Sequence, residues 1–293
     1  MAEKPKRGID HLVLAVRDLE AARRTYMRLG FTLTPRAEHP FGTGNSLIQL
    51  QGNFLELLTI VDPAKIAPPA DGQFSFAAFN QAFLGRREGF SMLVFESADA
   101  EADRQAFAAA GLDGYELFHF QRKARLPDGG VATVAFSLAF ATDRRIPEAA
   151  FFVCQQHAPQ YFWKPEYQLH ANGAIAITEA VMVAADPPSL ADFFAGLQGR
   201  DAVSVEDGAL RVTTARGCIA VLPFDQAVER FPGLPLTGAP ASPHFVGYRI
   251  GVRDLDTLRL RFDASDVDYR SAGRAIRLAP DIGYGTYIEF ASV

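Results

Sequence analysis

Residues 8–59 read GIDHLVLAVRDLEAARRTYMRLGFTLTPRAEHPFGTGNSLIQLQGNFLELLT, and the fold turns on how this stretch is parsed. It opens on an apolar run, Leu12 to Val16, preceded by one good metal ligand, His11. Such a run reads as a buried strand. Asp18 then stands as N-cap of a helix over residues 19–29. Glu20 lies in its first turn and Arg23, Arg24 and Arg28 follow, the charge order that a helix dipole favours. Gly30 is the expected C-cap. Strands are predicted at 31–34, 46–50 and 54–60, with a turn at Gly42-Thr43-Gly44-Asn45. The order is β-α-β-β-β, and Glu56 sits in the last strand between Phe54-Leu55 and Leu57-Leu58.

The same order recurs three times. A strand at 90–96 and an alanine-rich helix at 98–110 precede strands near 115–121, 131–140 and 150–154, with a turn at Pro127-Asp128-Gly129-Gly130. A third copy starts with a strand at 175–183 and a helix at 189–198 introduced by Pro187 and Pro188, followed by strands at 210–215 and 218–223. The fourth runs from a strand at 245–252 through a helix at 255–262 to strands at 275–278 and 286–290. Copies one and four align by eye. Val16-Arg17-Asp18-Leu19 matches Val252-Arg253-Asp254-Leu255, and Phe54-Leu55-Glu56-Leu57 matches Tyr287-Ile288-Glu289-Phe290, at nearly equal separation. The modules are therefore placed at 8–60, 89–157, 174–224 and 244–293. Asn172-Gly173 is the expected boundary between an N-terminal domain, 1–172, and a C-terminal domain, 173–293. Residues 62–87 read as an irregular or helical connection, and 225–243, with several Pro and Gly, as a linker.

Bulk properties narrow the function. A net charge of −5 argues against nucleic acid as partner. No window approaches the ~18 continuous apolar residues of a membrane span, and the basic residues before Ile9 are followed by no signal-like apolar core. Cys154 and Cys218 have no paired spacing, which disfavours a disulfide framework or zinc knuckle. A cytoplasmic protein, monomer or homodimer, with a small-molecule partner is the expectation. No phosphate-binding loop, dinucleotide fingerprint or serine-hydrolase elbow is present.

Tandem βαβββ modules with His in a first strand and Glu in a last strand resemble the vicinal oxygen chelate superfamily. That group includes glyoxalase I, extradiol dioxygenases and bleomycin-type resistance proteins. The resemblance is carried by the DHLVLAVRDLEAA opening, HPFGTGNSL at 39–47, FLELL at 54–58, CQQHAPQYFWKP at 154–165 and HANGA at 170–174. It implies an α+β fold of four modules forming two half-barrel domains, each around a cleft. It implies function only at superfamily level, since this fold hosts isomerases, lyases, oxygenases and pure binders.

Carried over residue by residue, the resemblance makes His11 and Glu56 ligands of a divalent metal (Zn, Fe, Mn or Ni) that binds adjacent oxygens of a substrate. Glu56 is also the candidate general base. The second module departs from the pattern: Ser91 aligns with His11, and Cys154 or Gln155 falls opposite Glu56. His157, just beyond, is the candidate third ligand. Without a second-module ligand, the cleft is expected to bind an organic molecule and no metal. Phe162, Trp163 and Asn45 are candidate pocket residues. The plainer roles are a strand-start histidine bonded to backbone for His11, a loop-ordering histidine for His157, and packing under a linker for the aromatics. Aligned on Asp186, Glu179 falls opposite His11, and a shift of one residue puts Thr178 there instead. Gly247 takes that place in the fourth module, so the second half offers two glutamates, Glu179 and Glu289, without histidine. Glu289 then reads as a relic of duplication or part of a salt-bridged core. His39, His119, His170 and His244 read as structural or surface residues, and Arg122, Lys123 and Arg125 as a solvated hairpin tip.

Overall fold

The computed structural model describes residues 7–125, 130–234, 238 and 240–293. Pro127, Asp128 and Gly129 of the expected hairpin turn lie outside the described residues, as does the side chain of Arg125.

The first module follows its expected order: β1 (Ile9–Ala15), α1 (Leu19–Arg28), β2 (Ala37–Glu38), β3 (Thr43–Gln49) and β4 (Phe54–Ile60). Asp18 caps α1 by accepting from the Ala21 backbone N–H, and Gly30 leaves the helix at φ +90°, a region open to glycine. After α2 (Phe76–Arg86), the second module supplies β5 (Gly89–Glu96), α3 (Ala100–Ala109), β6 (Asp113–Gly114), β7 (Phe118–Arg125), β8 (Val131–Thr142) and β9 (Ala150–Gln156), followed by the short α4 (Pro159–Phe162). The second half comprises β10 (Ala174–Val183), α5 (Ala191–Gln198), β11 (Val203–Glu206), β12 (Ala209–Thr213), β13 (Cys218–Leu222), α6 (Phe224–Arg230), β14 (His244–Val252), α7 (Leu255–Ala264), β15 (Arg270–Ala272), β16 (Ala275–Leu278) and β17 (Tyr287–Ser292). Among the described residues no helix is long and apolar enough to cross a membrane.

Two differences from the sequence reading have local causes. Residues 31–34 are not a strand: Phe31 and Leu33 turn into the core, and Pro35 lacks the N–H that a continued ladder needs, so the edge strand is reduced to β2. Residues 224–230, just after β13, form α6 where a linker was expected, and Ala227 and Phe231 anchor it in an apolar cluster.

Each half is a curled sheet. The first runs β2-β3-β4-β1-β5-β9-β8-β6 with β7 also on β8, and the second β11-β12-β13-β10-β14-β17-β16-β15. At the centre of the first sheet, β1 pairs parallel with β4 and antiparallel with β5. β1 is buried along its whole length because both its faces are covered. Leu12 and Leu14 join the helix-side core with Tyr26, whereas Val13 faces a separate cluster on the other side with Leu47, Phe54, Met92 and Phe152. That second cluster walls the cleft. The helix-side core is continuous between the halves, so the two sheets share it.

Candidate functional site

Register places the two leading residues. His11 pairs with Phe54 and Val13 with Glu56, so His11 and Glu56 lie one pleat apart on the cleft face. Both side chains are buried. His11 Nε2 lies 3.8 Å from Glu56 Oε2, beyond hydrogen-bond length. The imidazole is held from two sides: Nδ1 sits 2.6 Å from Asp10 Oδ2, and the ring stacks on Phe54 with centroids 4.3 Å apart. Asp10 is fixed in turn by Gln156, whose Nε2 donates to Oδ1 at 3.1 Å. A neutral imidazole that gives its Nδ1–H to Asp10 would present the Nε2 lone pair to the cleft.

Glu56 is held at its other oxygen. The Asn45 amide donates to Oε1 at 2.5 Å and also lies 3.3 Å from His39 Nε2. Its two hydrogens satisfy both acceptors if His39 is neutral with Nδ1–H toward Thr43 Oγ1, 2.7 Å away. Burial, then the charge of Arg122, pushes the His39 pKa down to about 3, which keeps that ring neutral. Burial raises the Glu56 pKa above the ordinary carboxylate value, against the opposing pull of His11, Asn45 and Arg122. Around these groups the wall is apolar, with Phe41, Phe76, Phe120, Phe136, Leu138 and Phe162 lining a narrow cleft that opens to solvent.

The other expected residues divide. Asn45 and Phe162 line the cleft. Trp163 does not line it but packs behind, edge-on to Phe54 and Phe162. His157 is exposed, and its Nε2 meets Ser137 Oγ at 2.6 Å, the hydroxyl that His119 Nδ1 also contacts at 2.8 Å. It is not brought to His11 and Glu56. Ser91 is buried, with its hydroxyl donating to Asn80 Oδ1 and near Val13 O. The second module turns Met92, Val94, Phe152 and Cys154 toward the cleft instead. Two cleft residues, and one that backs His11, escaped the sequence reading. Asp10 had a signal, a carboxylate beside the histidine. His39 lay in a motif but was read as structural. Arg122, read as part of a solvated tip, is half-buried and lines the cleft mouth; the alternation Phe118, Phe120, Arg122 along β7 carried that information.

The resemblance implies a divalent metal, and the donors test it. His11 Nε2 and Glu56 Oε2 supply two positions. Burial pushes the Cys154 thiol well above its ordinary pKa, so it is a poor source of thiolate. Among the described residues, no group of three or more His, Cys, Asp or Glu side chains is arranged to hold an ion. The Arg122 cation also faces Glu56. These residues do not complete a metal centre.

The corresponding face of the second sheet carries arginine–glutamate pairs and borders an open, solvent-facing groove lined by Glu179, Leu210, Arg230 and Arg277. Arg230, at the end of α6, donates to Glu179 Oε2 at 2.5 Å and Glu289 Oε1 at 2.9 Å. Arg249 and Arg277 each donate to Glu289 at 2.6 Å. A Cβ on Gly247 would lie 3.1 Å from the Phe231 ring, so Phe231 packs closely over this point of the strand. Burial alone would raise the Glu289 pKa, but the Arg230, Arg277 and Arg249 guanidinia hold it down to about 2. Glu289 belongs to a salt-bridged core.

A curled sheet of paired βαβββ modules around a cleft invites comparison with known families. The family model described as a glyoxalase-like domain matches residues 9–197. The chain belongs to this glyoxalase-like family. Among solved structures, it is similar to a hypothetical protein from Staphylococcus aureus (13% identity, 98% of this chain and 99% of that one, TM-score 0.67). It is also similar to a mutant 4-hydroxymandelate synthase from Streptomyces coelicolor (13% identity, 98% and 92%, TM-score 0.55). A third is a mutant homoprotocatechuate 2,3-dioxygenase from Brevibacterium fuscum (13% identity, 99% and 73%, TM-score 0.54). At these identities the likeness establishes the fold. No curated protein matches the chain.

Proposed function

We propose that the N-terminal cleft binds a small, mostly apolar organic molecule with adjacent oxygens and that Glu56 moves a proton on it, in the manner of an isomerase or lyase. One observation carries this reading. Glu56 is a buried carboxylate with one oxygen locked by Asn45 and the other, 3.8 Å from His11, directed to the same space as the imidazole lone pair. Burying such a group in an apolar wall with one oxygen unpaired costs several kcal/mol, roughly, a cost that a proton-transfer role accounts for. Its raised pKa moves it toward the range where a carboxyl both takes and returns protons near neutral pH.

The roles follow from the geometry. For an α-hydroxycarbonyl compound, His11 Nε2 accepts the hydroxyl hydrogen and fixes the carbon between oxygens near Glu56. Glu56 Oε2 then removes the hydrogen on that carbon. The C–H pair moves into the carbon–carbon bond as the carbonyl π-pair moves to oxygen, giving an enediolate with the proton on Glu56. Return of that proton to the same carbon regenerates the substrate. Its delivery to the other carbon, with the hydroxyl proton passed between the two oxygens by His11 Nε2, gives the isomer. The phenylalanine wall excludes water that would otherwise solvate the carboxylate. Because His157 stands apart and no third donor replaces it, no step is assigned to a metal.

The test is deuterium exchange. Small aromatic α-hydroxyketones are incubated in heavy water with wild-type protein and with Glu56→Gln, and carbon-bound deuterium is read by NMR. Wild type is expected to catalyse exchange, and Glu56→Gln to lose about 10²-fold or more while still binding. Binding with equal exchange in both proteins sinks the proton-transfer role and leaves a sequestering protein. Stoichiometric metal that copurifies and disappears in His11→Ala and Glu56→Ala overturns the metal-free mechanism.

A further inference from the structure

The cleft does not end at its phenylalanine wall. A second space of about 800 Å³ opens outward from it, and the two share Asn45, Leu47, Arg122 and Phe162 as a common partition. Their chemistry is opposite. The inner space is apolar around one carboxylate. The outer one is edged by Arg36, Arg122, Lys123 and Lys164, and no Asp or Glu is among the described residues that line it.

Arg122 is the decisive member. Arg36 is met by Glu38 at 3.0 Å, and Lys123 Nζ donates to Thr133 Oγ1 at 3.1 Å. The Arg122 guanidinium makes no ion pair or hydrogen bond with any described side chain and feels only the more distant charge of Glu56, yet it is half-buried and borders both spaces. Its position on β7 follows from alternation, since Phe118 and Phe120 of the same strand pack into the cleft wall. A neutral ligand entering here strips water from the guanidinium and returns nothing. A ligand with an anionic end replaces that water with a charge-assisted, two-pronged contact.

We propose that the molecule taken by this cleft is an amphipathic anion, with an aromatic-sized apolar body in the inner space and a carboxylate, sulfonate or phosphate group against Arg122 at the mouth. The assignment rests on the reading of the inner cleft as a small-molecule site, and adds the charge that its ligand must carry. Lys123 and Lys164 raise the local potential and draw the anion in; Arg122 fixes its place.

A matched pair of fluorescent probes tests this on the full chain: anilinonaphthalene sulfonate, and phenylnaphthylamine, which keeps the aromatic body and lacks the charge. Energy transfer from Trp163, the single tryptophan, which packs against Phe162, locates the bound probe. The sulfonate is expected to bind about tenfold more tightly than the neutral probe, the scale of one charge-assisted contact. Arg122→Gln should erase that preference while leaving the neutral probe unaffected. Raising the salt to about 0.5 M should weaken only the sulfonate. Lys123→Gln, at an exposed position, should have the same sign and a smaller size. Equal affinity for both probes, or a preference that survives Arg122→Gln, overturns the anion assignment and leaves the cleft reading intact. Failure of both probes to bind overturns the cleft reading, and the anion assignment with it.

Discussion

Glu56 is where local stability and proposed activity pull in opposite directions. Its folded pKa lies above the value of an exposed carboxylate because burial outweighs His11, Asn45 and Arg122. The native state therefore binds this proton more tightly than the unfolded chain does. Stability falls as pH rises from the ordinary carboxylate value through the raised one, and the deficit persists above it. Glu56→Gln keeps the shape and can still accept from Asn45, but carries no charge to bury. It is expected to melt at higher temperature than wild type at neutral pH, with the gap closing as the pH is lowered toward 4, about the ordinary carboxylate value. A scanning-calorimetry series over pH reads this directly. An unchanged or lowered melting temperature at neutral pH would mean that the carboxylate is better solvated than its burial indicates. The pairing of that result with lost proton exchange is the usual signature of a site residue kept at a cost in stability.

At the scale of elements, the repeated units were legible because their signals are local. Asp18 and Asp254 occupy matching positions, and both cap helices, accepting from Ala21 in one case and from Asp256 and Thr257 in the other. Apolar runs gave the central strands for the same reason. What escaped depends on partners far away in the chain. Arg230 reads as one more surface arginine until α6 carries it to Glu179 and Glu289, 51 and 59 residues distant in sequence. Arg122 is a partial case: its alternation with Phe118 and Phe120 gives the face it shares with them, and the curl of the first sheet is what turns that face over the cleft. His11 and Glu56 came from the resemblance, and the parallel pairing of β1 with β4 sets them one pleat apart, whereas His157 stands beyond the cleft because the second module's last strand delivers Cys154 there. The role of α6 yields a prediction. Arg230→Met preserves much of the side-chain bulk but removes the cation shared by two buried carboxylates. It is expected to cost about 3–5 kcal/mol at neutral pH, measured by urea denaturation. Because Glu289 is held down to about 2, its contribution is present above the ordinary carboxylate pKa and is lost as pH falls toward 2. The gap between wild type and variant should narrow on acidification. A loss under about 1 kcal/mol would show that Arg249 and Arg277 suffice.

For the whole molecule, the sequence divides more readily than the structure does. The repeat pattern and the Asn172-Gly173 boundary suggest two domains, but one helix-side core draws on both sheets. Phe90 of β5 stacks on Phe245 of β14 with centroids 3.8 Å apart, and the buried hydroxyls of Tyr26 and Tyr248 meet at 2.8 Å. Backbone groups are paired across the divide as well: the Asn53 amide donates to Ile177 O and its carbonyl accepts from Ile177 N–H. Splitting the halves would expose these aromatic faces and orphan those bonds, a cost too large for either half to unfold alone. Cooperative unfolding follows, and Trp163 gives a clean reporter because it lies in the N-terminal half. Phe245→Ala, made in the other half, leaves a cavity beneath Phe90 and is expected to destabilise by about 3–5 kcal/mol. If the shared core couples the halves, the urea midpoint read by Trp163 fluorescence shifts by the same amount as the midpoint read by circular dichroism over the whole chain. Independent halves would leave the Trp163 transition where it is in wild type and split the circular-dichroism curve in two. The same coupling has a consequence for the cleft. The sheet that holds His11 and Glu56 is braced from behind by the half whose own carboxylates are tied up by arginine, so the second half serves the first as a backing for its site.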